Sequence, residues 1–532
     1  MHQYSALHHT APVAAASFEV PIRAGIVIIA RFLILDSTRP SAPMKYLLKY
    51  SPEITIKSRP VRNRFVRQLC TNLNKLLQAV EAGIEVTSHW DYLEMNAPDT
   101  LADRQEVLEK ILADTPGIST FARVHQYPLQ DFDALLQQTL MHYKARLAGK
   151  TFAVRCKRVG KHDFSSVDVE TFIGGGLRQQ TQAAGVKLKN PELTVRLEIR
   201  DQETFIIDEI RLGLGGFPLG TQDGVLSLIS GGFDSAVSSY LSIRRGLTTH
   251  FCFFNLGGRE HEVAVKEVAL YLWMRYASSH PVKFVTVPFE RVVSEIIEKV
   301  ENSQMGVVLK RMMLRAAQAV AKELQLSALV TGEAVAQVSS QTLPNLAVID
   351  RVSEMLVLRP LIMSEKQDII DLARQIGTEE FSAVIPEYCG VISVKPTTRA
   401  SVSRIEREER QFDMEILQAA IRDRVILSID RIGREESAAS PDSPSIESEA
   451  GSATIIDIRH PDEEARKPLT LQNQSVQKIP FFKLNTAFSS GLMDESVRYL
   501  LYCDKGIMSR LHASYLLEQG FKNVGVYRPT RI

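Results

Sequence analysis

The chain has 532 residues, 45% of them apolar, and its 63 Lys plus Arg against 62 Asp plus Glu give a net charge of +1. At about 150 residues per domain, this length predicts three or four folded units. The balanced composition excludes a wholly disordered chain and a collagen-like one. The near-zero charge indicates no polyanionic partner, although it can conceal a basic unit balanced by an acidic one.

Residues 1–43 form an uncertain leader to which no function is assigned. Its longest apolar run, residues 24–36, contains Arg31 and has about half the length of a membrane span, so no membrane association is expected. Met44 then opens a strand-like segment, so the preceding residues are either a product of an upstream start or a poorly ordered extension.

The next part of the chain predicts two α+β units, at residues 44–105 and 106–210. The first runs through a strand, a basic turn at 57–64, a long helix and two further strands. The second contains a strongly basic stretch at 144–163, with seven Lys or Arg and a single acid.

Four residues of this basic stretch are candidate nucleic-acid contacts, namely Arg155, Lys157, Arg158 and Lys161. Basic side chains on a strand and the loop after it fit a phosphate-backbone footprint. A solvated strand face explains the same pattern, and the stretch alone leaves both interpretations open.

Residues 221–400 alternate strands and helices, which predicts a doubly wound parallel sheet with its ligand at the carboxyl ends of the strands. Residues 401–436 are predicted to be a helical connection. Residues 437–452 hold six Ser and two Pro, a composition typical of a flexible linker. Residues 453–532 form a last compact α/β unit.

The motif SGGFDS follows the first strand of the 221–400 segment. Gly231 and Gly232 permit close backbone approach to an anion at the following helix N-terminus, and Ser230 and Ser235 can donate to phosphate oxygens. Asp234 can hold Mg²⁺. An ordinary strand-to-helix turn is the alternative. The motif lacks the Walker A lysine and resembles the PP-loop of N-type ATP pyrophosphatases, which implies that ATP is split into AMP and pyrophosphate.

The five cysteines are too few and too scattered for a disulfide framework, and they form no CxxC zinc pair, so a reducing cytoplasmic location is expected. Cys503 lies between a strand and a helix N-terminus, where Lys505 and Arg510 favour a thiolate or a persulfide. The alternative is an inert buried thiol. Asp457 and Arg459, in TIIDIRHPDE, resemble the early part of a rhodanese domain.

Cys389 lies in the segment IPEYCGVIS, after the nucleotide-binding segment, and its surroundings alone leave function and packing equally open. Cys70 on a helix, and Cys156 and Cys252 on strands, are interpreted as structural.

The order of these motifs from Met44 to Pro529 closely resembles the tRNA 4-thiouridine synthetases of bacteria, which are tRNA uracil 4-sulfurtransferases. The resemblance implies a multidomain α/β and α+β fold class with ferredoxin-like, THUMP, PP-loop and rhodanese-like domains in that order. It implies tRNA as the partner of the first two domains, and ATP with Mg²⁺ as the cofactors of the third.

The family's reaction implies the following cycle. ATP adenylates O4 of the uridine at tRNA position 8, and a cysteine desulfurase loads a persulfide on Cys503. The terminal sulfur, or sulfide released from it by Cys389, then displaces AMP, and a Cys389–Cys503 disulfide remains to be reduced. Relatives also supply sulfur, through a sulfur-carrier protein, for thiazole formation in thiamine synthesis, and the sequence leaves that role open. A homodimer is expected from the resemblance alone.

Further positions carry over from the family by motif. The family's ATP-site positions correspond to Leu228, Ile229, Lys310, Gly332 and Gln341, and a catalytic lysine corresponds to Lys366.

Two other functions remain open from the sequence. A PP-loop ligase for a small substrate, with an accessory rhodanese tail, leaves the basic stretch unexplained. A non-catalytic tRNA-binding protein predicts no consumption of ATP.

Overall fold

The computed structural model describes residues 44–256, 258–383, 385, 395–432, 443–471, 474 and 476–529. The predicted leader and Cys389 lie outside these residues. Within them, no helix is long and apolar enough to cross a membrane.

The strands are numbered in chain order, and the described ones form three sheets. Their bounds are β1 Met44–Tyr50, β2 Glu85–Ser88, β3 Tyr92–Ala97, β4 Ile118–Pro128, β5 Thr151–Val159, β6 Gly185–Val186, β7 Leu193–Arg200, β8 Glu203–Ile207, β9 Arg211–Leu212, β10 Gln222–Leu228, β11 Leu247–Asn255, β12 Lys283–Pro288, β13 Ala328–Val330, β14 Leu356–Leu358, β15 Val425–Ser428, β16 Ile446–Glu447, β17 Thr454–Asp457, β18 Val476–Lys478, β19 Tyr499–Tyr502 and β20 Val524–Tyr527.

The α-helices are numbered in the same way. Their bounds are α1 Pro52–Thr55, α2 Arg59–Gln78, α3 Gln105–Asp114, α4 Phe132–Leu147, α5 Ser166–Gln180, α6 Phe233–Arg244, α7 Gly258–Leu272, α8 Glu290–Lys299, α9 Met305–Glu323, α10 Leu343–Asp350, α11 Lys366–Ile376, α12 Glu379–Ser382, α13 Val402–Glu409, α14 Met414–Arg422, α15 Pro461–Arg466, α16 Phe481–Ser489 and α17 Ile507–Glu518.

The first sheet joins the two N-terminal units, in the order β2-β3-β1-β4-β8-β7-β5-β6, with β9 also paired to β4. The long strand β4 pairs antiparallel with β1 through its first half and with β8 through its second. Helix α3 packs with the first unit through buried Leu108 and Leu112. The predicted boundary at residue 105 therefore falls within a continuous structure, because β4 is shared.

The basic turn predicted at 57–64 is wrong over most of its length, because helix α2 begins at Arg59. Pro60 is compatible with this helix. In the first turn of a helix a proline loses no hydrogen bond, and its fixed φ already suits the helix.

The second sheet has the order β14-β13-β10-β11-β12-β15. All its neighbouring pairs are parallel except β12 with β15. Helices cover both faces, and the large side chains Phe251, Phe253 and Phe284 are fully buried. The predicted doubly wound sheet is confirmed. The segment 401–436, predicted as helical, also contributes the edge strand β15.

The third sheet is parallel throughout the part that the structure describes, in the order β16-β20-β19-β17-β18. Strand β16 comes from the predicted linker, since Ile446 pairs with Val526. The folded C-terminal unit thus begins earlier than residue 453. A strand of two residues within a Ser-rich run is too short to show the alternation of apolar and polar residues by which a strand is recognised in a sequence.

Candidate active site

The SGGFDS loop connects β10 to α6 at the carboxyl end of the parallel sheet. Gly231 has φ +85°, and an added Cβ would lie 2.5 Å from Ile385 Cδ1, so this turn requires glycine. The Ser235 hydroxyl donates to the Gly232 carbonyl (3.0 Å) and accepts from the Ser230 amide (3.2 Å). The loop is thereby closed on itself, with the N-terminus of α6 behind it, an arrangement suited to an anion.

A cavity of about 560 Å³ opens beside this loop. Its volume lies within the range of small-ligand pockets. Among the residues predicted for the nucleotide site, its lining contains Leu228, Ile229, Ser230, Gly232, Asp234, Ser235, Lys310, Gly332 and Gln341. Side chains from strands, helices and loops that are distant in sequence thus meet at the predicted place.

Asp234 lies at the first turn of α6, and both its carboxylate oxygens accept hydrogen bonds. Lys366 Nζ, at the start of α11, donates to Oδ1 (2.8 Å), and Gln337 Nε2 donates to Oδ2 (2.7 Å). Asp234 and Lys366, which were predicted separately as catalytic residues, are therefore in contact. Gln337 has no predicted role, because nothing in its local sequence indicates that it reaches a residue 103 positions away.

A second charged group lines the cavity behind Gly332. Lys310 Nζ lies 3.5 Å from Glu333 Oε1, and Arg359 Nε donates to Glu333 Oε2 at 2.9 Å. Burial would raise the pKa of the Glu333 carboxyl, but Lys310 and Arg359 outweigh it and lower this pKa. The buried carboxylate thus stays ionised and holds Lys310 at the cavity. The Gln341 side chain closes the same region by accepting from the Ala334 amide (3.3 Å).

Magnesium fits this site through Asp234 alone. Across the residues described, no group of three or more His, Cys, Asp or Glu side chains is arranged to hold a metal ion. Mg²⁺ commonly takes one or two carboxylates and completes its shell with substrate phosphates and water. Asp234, beside the anion-binding loop, matches that pattern, although its two oxygens already face Lys366 and Gln337.

The four predicted nucleic-acid contacts differ in their surroundings. Lys161 is exposed in the loop after β5. Lys157 forms ion pairs of 3.3 Å with both Asp91 and Glu198. Arg155 lies 3.6 Å from Glu170, and Arg158 lies over the Phe164 ring. The structure therefore places all four on one strand and loop, with part of their charge already neutralised.

Cys503 follows β19 and lies beside the first turn of α17. Its Sγ accepts from the Ser509 amide and lies 3.3 Å from the Ser509 hydroxyl. Burial is the largest effect and raises the pKa of the thiol, while Ser509 and the Gly506 amide act to lower it. The pKa of the resting thiol is thus shifted in the direction opposite to the predicted thiolate, because the sequence does not reveal how deeply the loop is packed. The stabilised persulfide stays a prediction.

The C-terminal unit packs against α7 in an antiparallel arrangement. Near one end of α7, Arg259 forms an ion pair with Glu518 (3.0 Å), and along its length Glu267 lies 3.1 Å from His512. Beyond the other end, Lys505 Nζ lies 5.5 Å from the centre of the Trp273 ring. The Cys503 loop is therefore near the end of α7 that is remote from the nucleotide loop.

Fold and site together define an ATP-binding PP-loop enzyme with attached RNA-binding units. Three family models match the chain: "Thiamine biosynthesis protein (ThiI)" at residues 220–414, "THUMP domain" at 130–208 and "ThiI ferredoxin-like domain" at 45–122. The last of these extends beyond the predicted boundary at residue 105, in agreement with the shared strand β4.

The chain is also similar to individual proteins along most of its length. It is 52% identical over 486 residues to a tRNA sulfurtransferase of Shewanella piezotolerans, and 54% identical over 489 residues to one of Azotobacter vinelandii. Each alignment covers 91% of this chain and 100% of the relative. The chain belongs to the tRNA sulfurtransferase family.

A crystal structure of a 4-thiouridine synthetase in complex with RNA and bound ATP is similar too. It has a TM-score of 0.63 and 26% identity, and the match covers 73% of this chain and 99% of the other.

Proposed function

We propose that this protein activates a uridine of tRNA with ATP and replaces its O4 with sulfur carried on Cys503. The observation that carries the proposal is the contact of Asp234 with Lys366 beside the SGGFDS loop, at the mouth of a cavity large enough for a nucleotide. The similarity to tRNA sulfurtransferases and to an ATP-bound 4-thiouridine synthetase supports it. By resemblance, the target is the uridine at position 8.

In the first half of the reaction, uridine O4 attacks the α-phosphorus of ATP, and pyrophosphate leaves. The loop amides and the α6 N-terminus hold phosphate oxygens, and Lys310 and Lys366 offset the negative charge that develops there. Magnesium, when bound at Asp234, neutralises phosphate charge. The product is an adenylated uridine, in which AMP has become the leaving group.

In the second half, the terminal sulfur of a Cys503 persulfide replaces AMP at C4 of the uridine. Attack by Cys389 on the Sγ atom of Cys503 then frees the new thiocarbonyl group and leaves a Cys389–Cys503 disulfide, which a thiol reductant reduces. We assign the loading of the persulfide to a cysteine desulfurase. The rhodanese-like character of the C-terminal unit and the role of Cys389 rest on the sequence.

Four described cysteines, Cys70, Cys156, Cys252 and Cys503, are free thiols. This agrees with a cytoplasmic site of action, where thiols stay reduced. A homodimer and delivery of sulfur to a carrier protein for thiazole synthesis remain expectations from the family.

The test separates the two halves of the reaction. Unmodified tRNA is incubated with ATP, magnesium, cysteine, a desulfurase and the protein, and both pyrophosphate release and near-ultraviolet absorbance of thiouridine are followed. We expect Asp234→Ala to lose both signals and Cys503→Ser to lose only the thiouridine. Cys156→Ser, which changes a half-buried cysteine away from the site, is the control and should keep both.

Full activity of both Asp234→Ala and Cys503→Ser would contradict the assigned site. Pyrophosphate release that does not depend on tRNA would favour a ligase for a small substrate instead. Tight but ATP-independent binding of tRNA, without pyrophosphate release, would favour a non-catalytic binding protein.

A further inference from the structure

Gln337 lies in a loop whose backbone is held in an uncommon conformation. The preceding residue, Ala336, has φ +61°, a left-handed value that is unfavourable for a residue with a side chain. The Ala336 amide donates to the Gln341 carbonyl (3.0 Å), and the Val335 amide donates to the Ile362 carbonyl (3.0 Å). These bonds, with the contact from the Gln341 side chain to the Ala334 amide, fix the loop on both sides of Gln337.

The fixed loop aims the Gln337 amide at the nucleotide site. Its Nε2 donates to Asp234 Oδ2 at 2.7 Å, while Lys366 donates to Oδ1 at 2.8 Å. The two donors bond different oxygens of the carboxylate, so together they determine its orientation. The gain in catalysis from a group held in advance in its working geometry is large.

We propose that Gln337 is a positioning residue for the activation step, which orients the Asp234 carboxylate towards the nucleotide. The inference rests on the proposed function and adds a residue to it. Lys366 both orients the Asp234 carboxylate and offsets its charge, whereas the neutral amide of Gln337 orients the carboxylate without offsetting the charge.

The first test compares Gln337→Ala with the unchanged protein in tRNA-dependent pyrophosphate release. We expect kcat to fall by about tenfold, as is common when a group that supports a ligand is removed, while KM for ATP changes much less. Gln367→Ala is the matched control, because that glutamine is next to Lys366 but bonds Asp371 on the surface. It should leave kcat unchanged. Circular dichroism and a thermal melt check that each variant is folded.

The second test uses Gln337→Met, whose side chain is about as long as that of glutamine but cannot donate to Asp234. We expect kcat to fall as it does in Gln337→Ala, because the proposal assigns the effect to the hydrogen bond and not to packing of the side chain.

A Gln337→Met variant that keeps kcat within twofold of the unchanged protein would show that the side chain acts by packing alone and would overturn the proposal, as would a Gln337→Ala variant within twofold of the unchanged protein. If the unchanged protein itself releases no pyrophosphate with tRNA, the proposed function fails, and this inference fails with it.

Discussion

Gly332 illustrates how a single residue sets the shape of the nucleotide site. A Cβ added there would lie 2.6 Å from the carbonyl carbon of Asp234 and 2.8 Å from the Ser235 amide nitrogen. These are backbone atoms of the SGGFDS loop and cannot swing aside as a side chain can. The end of β13 therefore approaches the loop as closely as glycine alone permits.

We expect Gly332→Ala to weaken ATP binding by at least about tenfold, which corresponds to about 1.4 kcal/mol, because the loop must shift. ATP affinity by equilibrium dialysis measures the effect. Gly306→Ala is the matched control: Gly306 lines the same cavity, and its Cβ would meet nothing within 4 Å. Equal affinities for the two variants would show that the close approach at Gly332 has no effect on the nucleotide.

Ser509 is expected to tune the reactivity of Cys503. Since burial raises the pKa of this thiol and the Ser509 hydroxyl opposes that rise, Ser509→Ala should raise the pKa further. The thiolate, which is the nucleophile, exists above the thiol pKa, so alkylation of Cys503 at pH 8 should slow severalfold and recover as pH increases.

The measurement is the rate of iodoacetamide labelling by peptide mass spectrometry. The Cys156 peptide of the same digest is the internal control. Burial is the main cause that raises the pKa of the Cys156 thiol to about 12, and Ser509 takes no part in it. Labelling of Cys503 that is equally fast in both proteins at pH 8 would contradict the role of the hydroxyl.

At the scale of elements, strand β5 and its following loop present cations of unequal availability. Lys161 is exposed, whereas Lys157 lies between Asp91 and Glu198. A lysine that contacts a phosphate displaces counterions, and its loss lowers the slope of log K against log salt by about 1.

We therefore expect Lys161→Ala to reduce the salt dependence of tRNA binding by about one unit and Lys157→Ala to reduce it less. Filter binding at several salt concentrations gives both slopes. A larger reduction of the slope for Lys157→Ala would show that Lys157 leaves Asp91 and Glu198 and contacts a phosphate when tRNA binds.

Local sequence predicts an element well when its determinants are adjacent in the chain. The SGGFDS loop was predictable because strand, glycines and helix start follow one another. Gln337 was not, since a left-handed alanine and a contact across 103 positions place it. The raised pKa of Cys503 was equally hidden, because it depends on how deeply its loop is packed in the folded protein. The pairing of β15 and β16 with strands distant in the sequence could be seen only in the tertiary structure.

At the scale of the whole molecule, the contact between α7 and α17 attaches the C-terminal unit to the PP-loop unit. Its central pair, Glu267 and His512, is buried, and its peripheral pair, Arg259 and Glu518, is about one-third exposed. Removing one partner of a buried polar pair costs several times more than removing one of an exposed pair, which is screened by water.

We expect Glu267→Ala to increase amide hydrogen exchange in Ile507–Glu518 clearly, and Glu518→Ala to change it little. Hydrogen exchange with peptide-level mass spectrometry compares the two variants. The reverse order would show that the peripheral pair, and not the buried one, holds the units together.

Helix α7 also separates the nucleotide loop from the Cys503 loop. His261, in its first turn, contacts the Ser230 carbonyl of the nucleotide loop, while Trp273, beyond its last turn, contacts Lys505 of the Cys503 loop. The 15 residues of α7 span about 22 Å at 1.5 Å per residue, far more than any bond-forming distance. If Cys503 carries the sulfur as proposed above, direct transfer requires the C-terminal unit to leave this docked position. In that case the contact between α7 and α17 has to open in each turnover, and the stability of this contact limits how fast the sulfur is delivered.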